Sequence, residues 1–256
     1  MIKLKNKKSD GSAIEWTDVT WNPWHGCHKC SAGCLFCYMF RDKMKYGQNA
    51  NLVVRSKTKF KYPYKVNGPK LVFTCSWSDF FIEDADDWRD DAWEIIRNTP
   101  HLTYQILTKR PERIMDHLPD DWGDGYDNLW LGVTVENNET RHRIETLADV
   151  PSKLRFISFE PLLEWLELAD YAQILTKYYH WAILGGESGN DNGLYRYRPC
   201  ELEWLEYVVD VCKMSQMAVF VKQLGTHLHN ELGLRDRHAR DVSEFPESLK
   251  IREFPI

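Results

Sequence analysis

The chain has no apolar run long enough to cross a bilayer. Its opening stretch, MIKLKNKKSDGSAIEW, is basic but lacks the apolar centre of a secretory leader. It also lacks an excess of positive charge, since 33 Lys and Arg stand against 38 Asp and Glu, a formal balance of −5. Bulk attraction to a polyanion is therefore excluded, and only local contacts are left. The basic stretches RSKTKFKYPYK (55–65), TKRPER (108–113) and RYRPC (196–200) each read first as solvated surface. The nine histidines show neither H-E-x-x-H nor H-x-x-E-H spacing, and no Walker loop or Ser–His–Asp arrangement is visible. No low-complexity linker and no internal repeat divides the sequence, which predicts one domain over residues 1–256. Together these absences predict a cytoplasmic protein without membrane attachment, in a compartment where thiols stay reduced.

What is present is an alternation. Short runs rich in β-branched and aromatic residues occur at 71–77, 103–109, 129–136, 153–160, 181–188 and 218–225. Between some of them lie helical patterns: EDADDWRDDAWEIIRN, the proline-led PERIMDHL, and ELEWLEYVVDVCKMS with Trp204, Leu205, Val208, Val209 and Cys212 on one face. With an early strand in IEWTDVTW and a helix through YMFRDKMKYG, this predicts about seven βα units. The fold expected is α/β, a partial or complete (β/α) TIM-type barrel with mostly parallel strands.

The strand middles are apolar and their C-terminal ends turn polar. Those ends hold Ser76, Ser78 and Asp79; Thr108, Lys109 and Arg110; Thr134 and Glu136; Ser158 and Glu160; Glu187 and Ser188; Lys222 and Gln223. In a barrel these positions converge on one rim, where such folds build their sites. So many charges at one rim would be costly without something to bind.

Four of the seven cysteines, Cys27, Cys30, Cys34 and Cys37, fall within GCHKCSAGCLFC. Packing thiols rarely bunch so closely, so the pattern points to a metal. Two C-x2-C pairs suit zinc, although only three residues separate them, fewer than in a zinc ribbon. A compact run of thiolates on a loop also suits an iron–sulfur cluster. Cys75 in a strand, Cys212 on a helix face and Cys200 in a polar stretch read as bystanders. His25 and His28 flank the first cysteine but read as loop residues. Most of the eleven tryptophans are expected to fill the barrel–helix interface, with Trp21, Trp24 and Trp77 close to the site.

The C-x3-C-x2-C spacing of Cys30, Cys34 and Cys37, with Phe36 before the last, resembles the radical S-adenosylmethionine enzymes. The ordered motifs IEWTDVTWNPWHGC, GCLFCY, SWSDFF, ILTKRPER, LGVTVEN, FISFEPLL, ILGGESG and VFVKQLG more closely resemble the three-Cys-motif proteins of phages and bacteria within that superfamily. The resemblance implies a barrel whose N-terminal loop holds a 4Fe–4S cluster on three cysteines. S-adenosylmethionine (SAM) would chelate the fourth iron, and its reductive cleavage would yield a 5′-deoxyadenosyl radical. It places the ligands at Cys27, Cys34 and Cys37, leaving Cys30 extra, whereas the wider superfamily spacing would use Cys30.

By the same resemblance, Phe36, Tyr38, Ser78, Asp79, Thr134, Glu136, Glu160, Gly185, Gly186 and Glu187 fall at cofactor-binding positions. Lys109, Arg110, Lys222 and Gln223 are candidates to anchor a carboxylate or phosphate on the substrate. A nucleobase, nucleotide or nucleic acid is the implied substrate, with an external reductant and a possible protein partner. The competing class is a non-enzymatic, zinc-stabilised binding module on the same scaffold.

Overall fold

The computed structural model describes residues 12–193 and 195–255. Seven parallel strands form one sheet: β1 (Val19–Trp21), β4 (Lys70–Thr74), β5 (Leu102–Thr108), β6 (Leu129–Thr134), β7 (Leu154–Phe159), β8 (Trp181–Gly185) and β9 (Ala218–Gln223). They run in that spatial order, β9 does not pair with β1, and the outer edge of β9 is bridged antiparallel at Phe220 by Arg252 near the C-terminus, so the sheet curves into a half-barrel without closing. A separate antiparallel ribbon joins β2 (Trp24–His25) to β3 (Val54–Arg55). Helices α1 (Tyr38–Lys45), α2 (Asp86–Arg97), α3 (His142–Ala148), α4 (Ala172–Tyr178), α5 (Leu202–Met214) and α6 (Gly225–Leu232) complete the chain. None of the described helices is long and apolar enough to cross a membrane.

The two faces of the sheet bury different things because side chains alternate along a strand. One face presents Val72, Ile106, Val133, Ile157, Leu184 and Val221, which join one core with Trp93, Ile96, Ile144, Leu205 and Val209 of the helices. The other face carries Phe73, Phe156, Trp181, Ile183 and Phe220, closed over by Trp16 with no helical residue. This is the concave side, and its lower half is an aromatic plug. Trp16 meets Phe73 at 4.5 Å between ring centroids, and Trp181 stacks on Phe254 at 5.5 Å. Gly132 stands opposite Phe156 across β6 and β7. A Cβ on Gly132 would sit 2.4 Å from the Phe156 ring, so the missing side chain makes room for that ring.

Four expectations change. PERIMDHL forms two short 3-10 turns, Pro111–Arg113 and Met115–His117, rather than a helix. Pro119 limits its length, and Arg113 is drawn across to the Phe81 carbonyl and to Asp86. Cys75 lies just past β4 rather than within it, with φ of 61°, and its N–H donates to Trp21 O at 2.8 Å. Cys200 is buried in the main core despite its polar neighbours. On α5, Val211 joins the core while Trp204 is only partly buried.

The substitution Gly132→Ala should destabilise the fold by about 1–3 kcal/mol through overpacking. In a Phe156→Leu background the same change should cost measurably less. Urea unfolding of the four proteins checks this, and an equal cost in both backgrounds would show that the ring is not the obstacle.

Candidate functional site

The cysteine loop begins at a glycine. Gly26 has φ of +103°, and a Cβ there would come within 2.2 Å of Leu52 O, so the chain can turn here only without a side chain. Its N–H donates to Trp77 O at 3.0 Å, while Ser78 Oγ donates to Gly26 O at 2.6 Å. Asn22 at the end of β1 accepts from Trp77 N at 2.8 Å and donates to Ser76 Oγ at 3.0 Å. The loop therefore leaves from the C-terminal ends of β1 and β4. The β2–β3 ribbon then holds its two stems together.

Three carboxylate–arginine pairs hold the loop over the mouth of the half-barrel. Asp79 accepts from Thr108 Oγ1 at 2.7 Å and Lys109 N at 2.9 Å, and lies 3.4 Å from Arg110. Arg110 in turn donates to His28 O at 2.9 Å and stands 4.0 Å from Cys27 Sγ. Glu136, fully buried, pairs with Arg143 of α3 at 2.9 Å. Its other oxygen accepts from Gly33 N at 3.1 Å and from the Ser31 hydroxyl. Glu187 forms a two-pronged pair with Arg198, whose Nη1 donates to Ala32 O at 3.0 Å. Arg198 also lies over the Phe36 ring, 5.4 Å from its centroid.

The thiols face a polar rim with uneven electrostatics. Burial, aided by Asp79, pushes the Cys27 thiol up to about 12. Burial likewise raises Cys37. Cys30 and Cys34 share a hydrogen bond that raises Cys30 and lowers Cys34, which also feels the Lys109 ammonium. Cys27 feels the charge of both Cys34 and Cys37. Cys30 is exposed, whereas Cys27, Cys34 and Cys37 are half-buried.

The rim residues expected to meet a ligand divide into two groups. Ser78, Asp79, Arg110, Glu136, Glu187 and Gln223 are committed to holding the protein together. Gln223 Nε2, for example, donates to Gly186 O at 3.0 Å and Ser188 Oγ at 2.9 Å. Gly186 admits Leu224 O, which would lie 2.3 Å from a Cβ, and Gly185 leaves space beside Gln223 O and Glu160. The charge gathered at the rim is thus largely neutralised by arginines and does not by itself require a ligand.

The second group is less engaged. Thr134 Oγ1 is buried on the concave side with no hydrogen-bond partner among the described residues. Lys109 makes no described ion pair; burial pushes its ammonium down, but Glu136 and Cys34 raise it overall. Glu160 pairs with Lys222 at 2.5 Å, and both side chains remain partly open. Tyr38 donates to Ser76 O, and its hydroxyl is raised by burial, Cys37 and Glu160. Neither histidine turns to the thiols: His25 contacts Lys43 at 2.8 Å and His28 contacts Asp84 at 3.0 Å.

Sequence reasoning missed Arg143 and Arg198. Arg143 lies in NNETRHRIE and resembles any solvated helix residue, and RYRPC read as surface. Residues 11–248 match the family described as "Protein of unknown function (DUF5131)". The chain belongs to that family. No curated protein matches the chain, and no solved structure does. The match takes in the whole cysteine loop, its three anchors and all seven strands of this DUF5131 protein.

Two outcomes are expected. Glu136→Ala removes the partner of buried Arg143 and should cost about 3–5 kcal/mol, with faster proteolysis within residues 28–35. Unchanged cleavage there would detach Glu136 from the loop. In the metal-free protein at neutral pH, iodoacetamide should modify Cys34 before Cys27, because the first thiol is lowered and the second raised. Raising the pH should narrow the difference, as Cys27 ionises only near 12.

Proposed function

We propose that this protein is a radical SAM enzyme, with Cys27, Cys34 and Cys37 holding a 4Fe–4S cluster. The observation that carries the reading is the cysteine loop itself, clamped at three points over the C-terminal mouth of a half-barrel. The donors suit a cluster better than a single ion. Thiolates on one tetrahedral zinc lie about 3.8 Å apart, but among the described residues no three of these thiols come within 4.8 Å of one another. Cys27 is preferred over Cys30 because it is half-buried beside Arg110, whereas Cys30 is exposed.

When bound, the cluster and SAM supply one-electron cleavage of the sulfonium and a 5′-deoxyadenosyl radical. The protein's own residues have simpler tasks. The arginine-backed carboxylates keep the loop in place, and Lys109 balances negative charge beside Cys34 and Cys37. Glu160 and Lys222, both partly open, offer contacts for polar parts of a ligand entering the mouth. The aromatic plug beneath closes the concave side to water.

We take the substrate to be a nucleobase or nucleotide. A cavity of about 510 Å³ opens beside the loop stem at the edge strand β1, lined by Asn22, His25, Lys59, Tyr62 and Trp77 among others. Its aromatic faces suit a base, and its one ammonium, Lys59, suits a phosphate.

Anaerobic reconstitution should give brown protein containing iron and sulfide, and dithionite with SAM should release 5′-deoxyadenosine. Cys27→Ala should lose most of the iron and Cys30→Ala should keep it. Colourless protein with tightly held zinc would instead favour the binding-module reading, and iron retained in the Cys27 variant would move the first ligand to Cys30.

A further inference from the structure

A second group of metal-ligand side chains lies outside the cysteine site. Glu201 sits immediately before α5, while His227 and Glu231 occupy one face of α6 at i and i+4. Their ligand atoms all lie within 4.8 Å of one another. His227 Nε2 is 3.6 Å from Glu201 Oε1 and 3.7 Å from Glu231 Oε2. Both separations are too long for a hydrogen bond. They are close to what a shared ion requires, since donors about 2.1 Å from one metal lie roughly 3–3.5 Å apart. Neither carboxylate has an arginine or lysine partner among the described residues, in contrast with the rim carboxylates.

We propose that Glu201, His227 and Glu231 form a binding site for a first-row divalent cation, with its remaining positions taken by water. One imidazole and two carboxylates are a donor set for Mn²⁺, Fe²⁺ or Zn²⁺. The helical i, i+4 pair fixes two ligands on one rigid element, and Glu201 brings the third from a different part of the chain. A bound ion would therefore tie the start of α5 to α6. The tie matters to the cysteine loop through the segment before α5, where Arg198 grips Glu187 and Ala32. At the start of α6, Thr226 N donates to Glu187 O at 3.0 Å. The proposal is independent of what the cysteines hold.

Mn²⁺ is the probe, because it favours oxygen and nitrogen donors over thiolates. Titration of the full chain, followed by the electron paramagnetic resonance of unbound Mn²⁺, should reveal one saturable site. Glu231→Gln and His227→Ala should each weaken it by at least about tenfold, while Cys27→Ala should leave it unchanged. The Glu231 side chain is exposed, so Glu231→Gln keeps the test readable should His227→Ala misfold. No saturable site in the wild type, or equal affinity in Glu231→Gln, would overturn the assignment.

Discussion

The buried pair between Glu136 and Arg143 is the constraint on which the site depends. A carboxylate with no solvent contact is stable only if both oxygens are satisfied. Here Arg143 takes one oxygen, and the other is left for Ser31 and Gly33 in the cysteine loop. The loop thus completes the coordination of a charge that the barrel has already buried. Gly33 belongs to the same arrangement, since a Cβ there would meet the Glu136 carboxylate at 2.9 Å. The same logic repeats on either side with Asp79–Arg110 and Glu187–Arg198, each reaching a different carbonyl of the loop.

This division of labour decides which rim groups remain for chemistry. Both oxygens of Asp79 and of Glu187 already accept hydrogen bonds, from backbone N–H groups and the Thr108 hydroxyl in the first and from Arg198 in the second. Lys109 lies between two anchored strand ends yet has no carboxylate of its own within bonding distance among the described residues. Thr134 is more telling, since a buried hydroxyl without a partner loses hydration for no return. Both residues are on the concave face, where strand alternation also places Ser158 and Lys222. Thr134 and Ser158 are buried there, so a ligand at the mouth would meet the half-buried Lys109 and Lys222 first.

Much of this was legible in the sequence, and the reasons for the rest are physical. Apolar strand middles with polar ends revealed an α/β barrel, partial or complete, and its rim, because alternation and burial leave periodic marks. The clustering of Cys27 to Cys37 marked the loop directly. The roles of the rim carboxylates were not legible, because a charged residue at a strand end looks alike whether it faces a ligand or an arginine. Arg143 and Arg198 find Glu136 and Glu187 only through tertiary packing. Pairs such as Asn22 with Trp77, 55 positions apart, leave no local signal either. PERIMDHL shows the opposite failure: a helical pattern too short to hold when its arginine has better acceptors elsewhere.

The open side of the barrel follows from the same arrangement. Closing the sheet would require β9 to pair with β1, but the outer edge of β9 is taken by the C-terminal segment, with Val221 N donating to Ile251 O at 2.9 Å and Glu253 N to Val219 O at 2.8 Å, and β1 has only three residues and pairs with β4 alone among the described strands. Beside β1, Trp21 Nε1 donates to Phe60 O at 3.0 Å, which ties the segment after the β2–β3 ribbon to this strand through a side chain. That segment contributes Ser56, Lys59 and Tyr62 to the cavity beside the loop stem, while β1 and Trp77 contribute the rest of its aromatic lining. The cysteine loop covers the mouth from above, the aromatic plug fills the base, and the cavity of about 510 Å³ opens at the β1 edge.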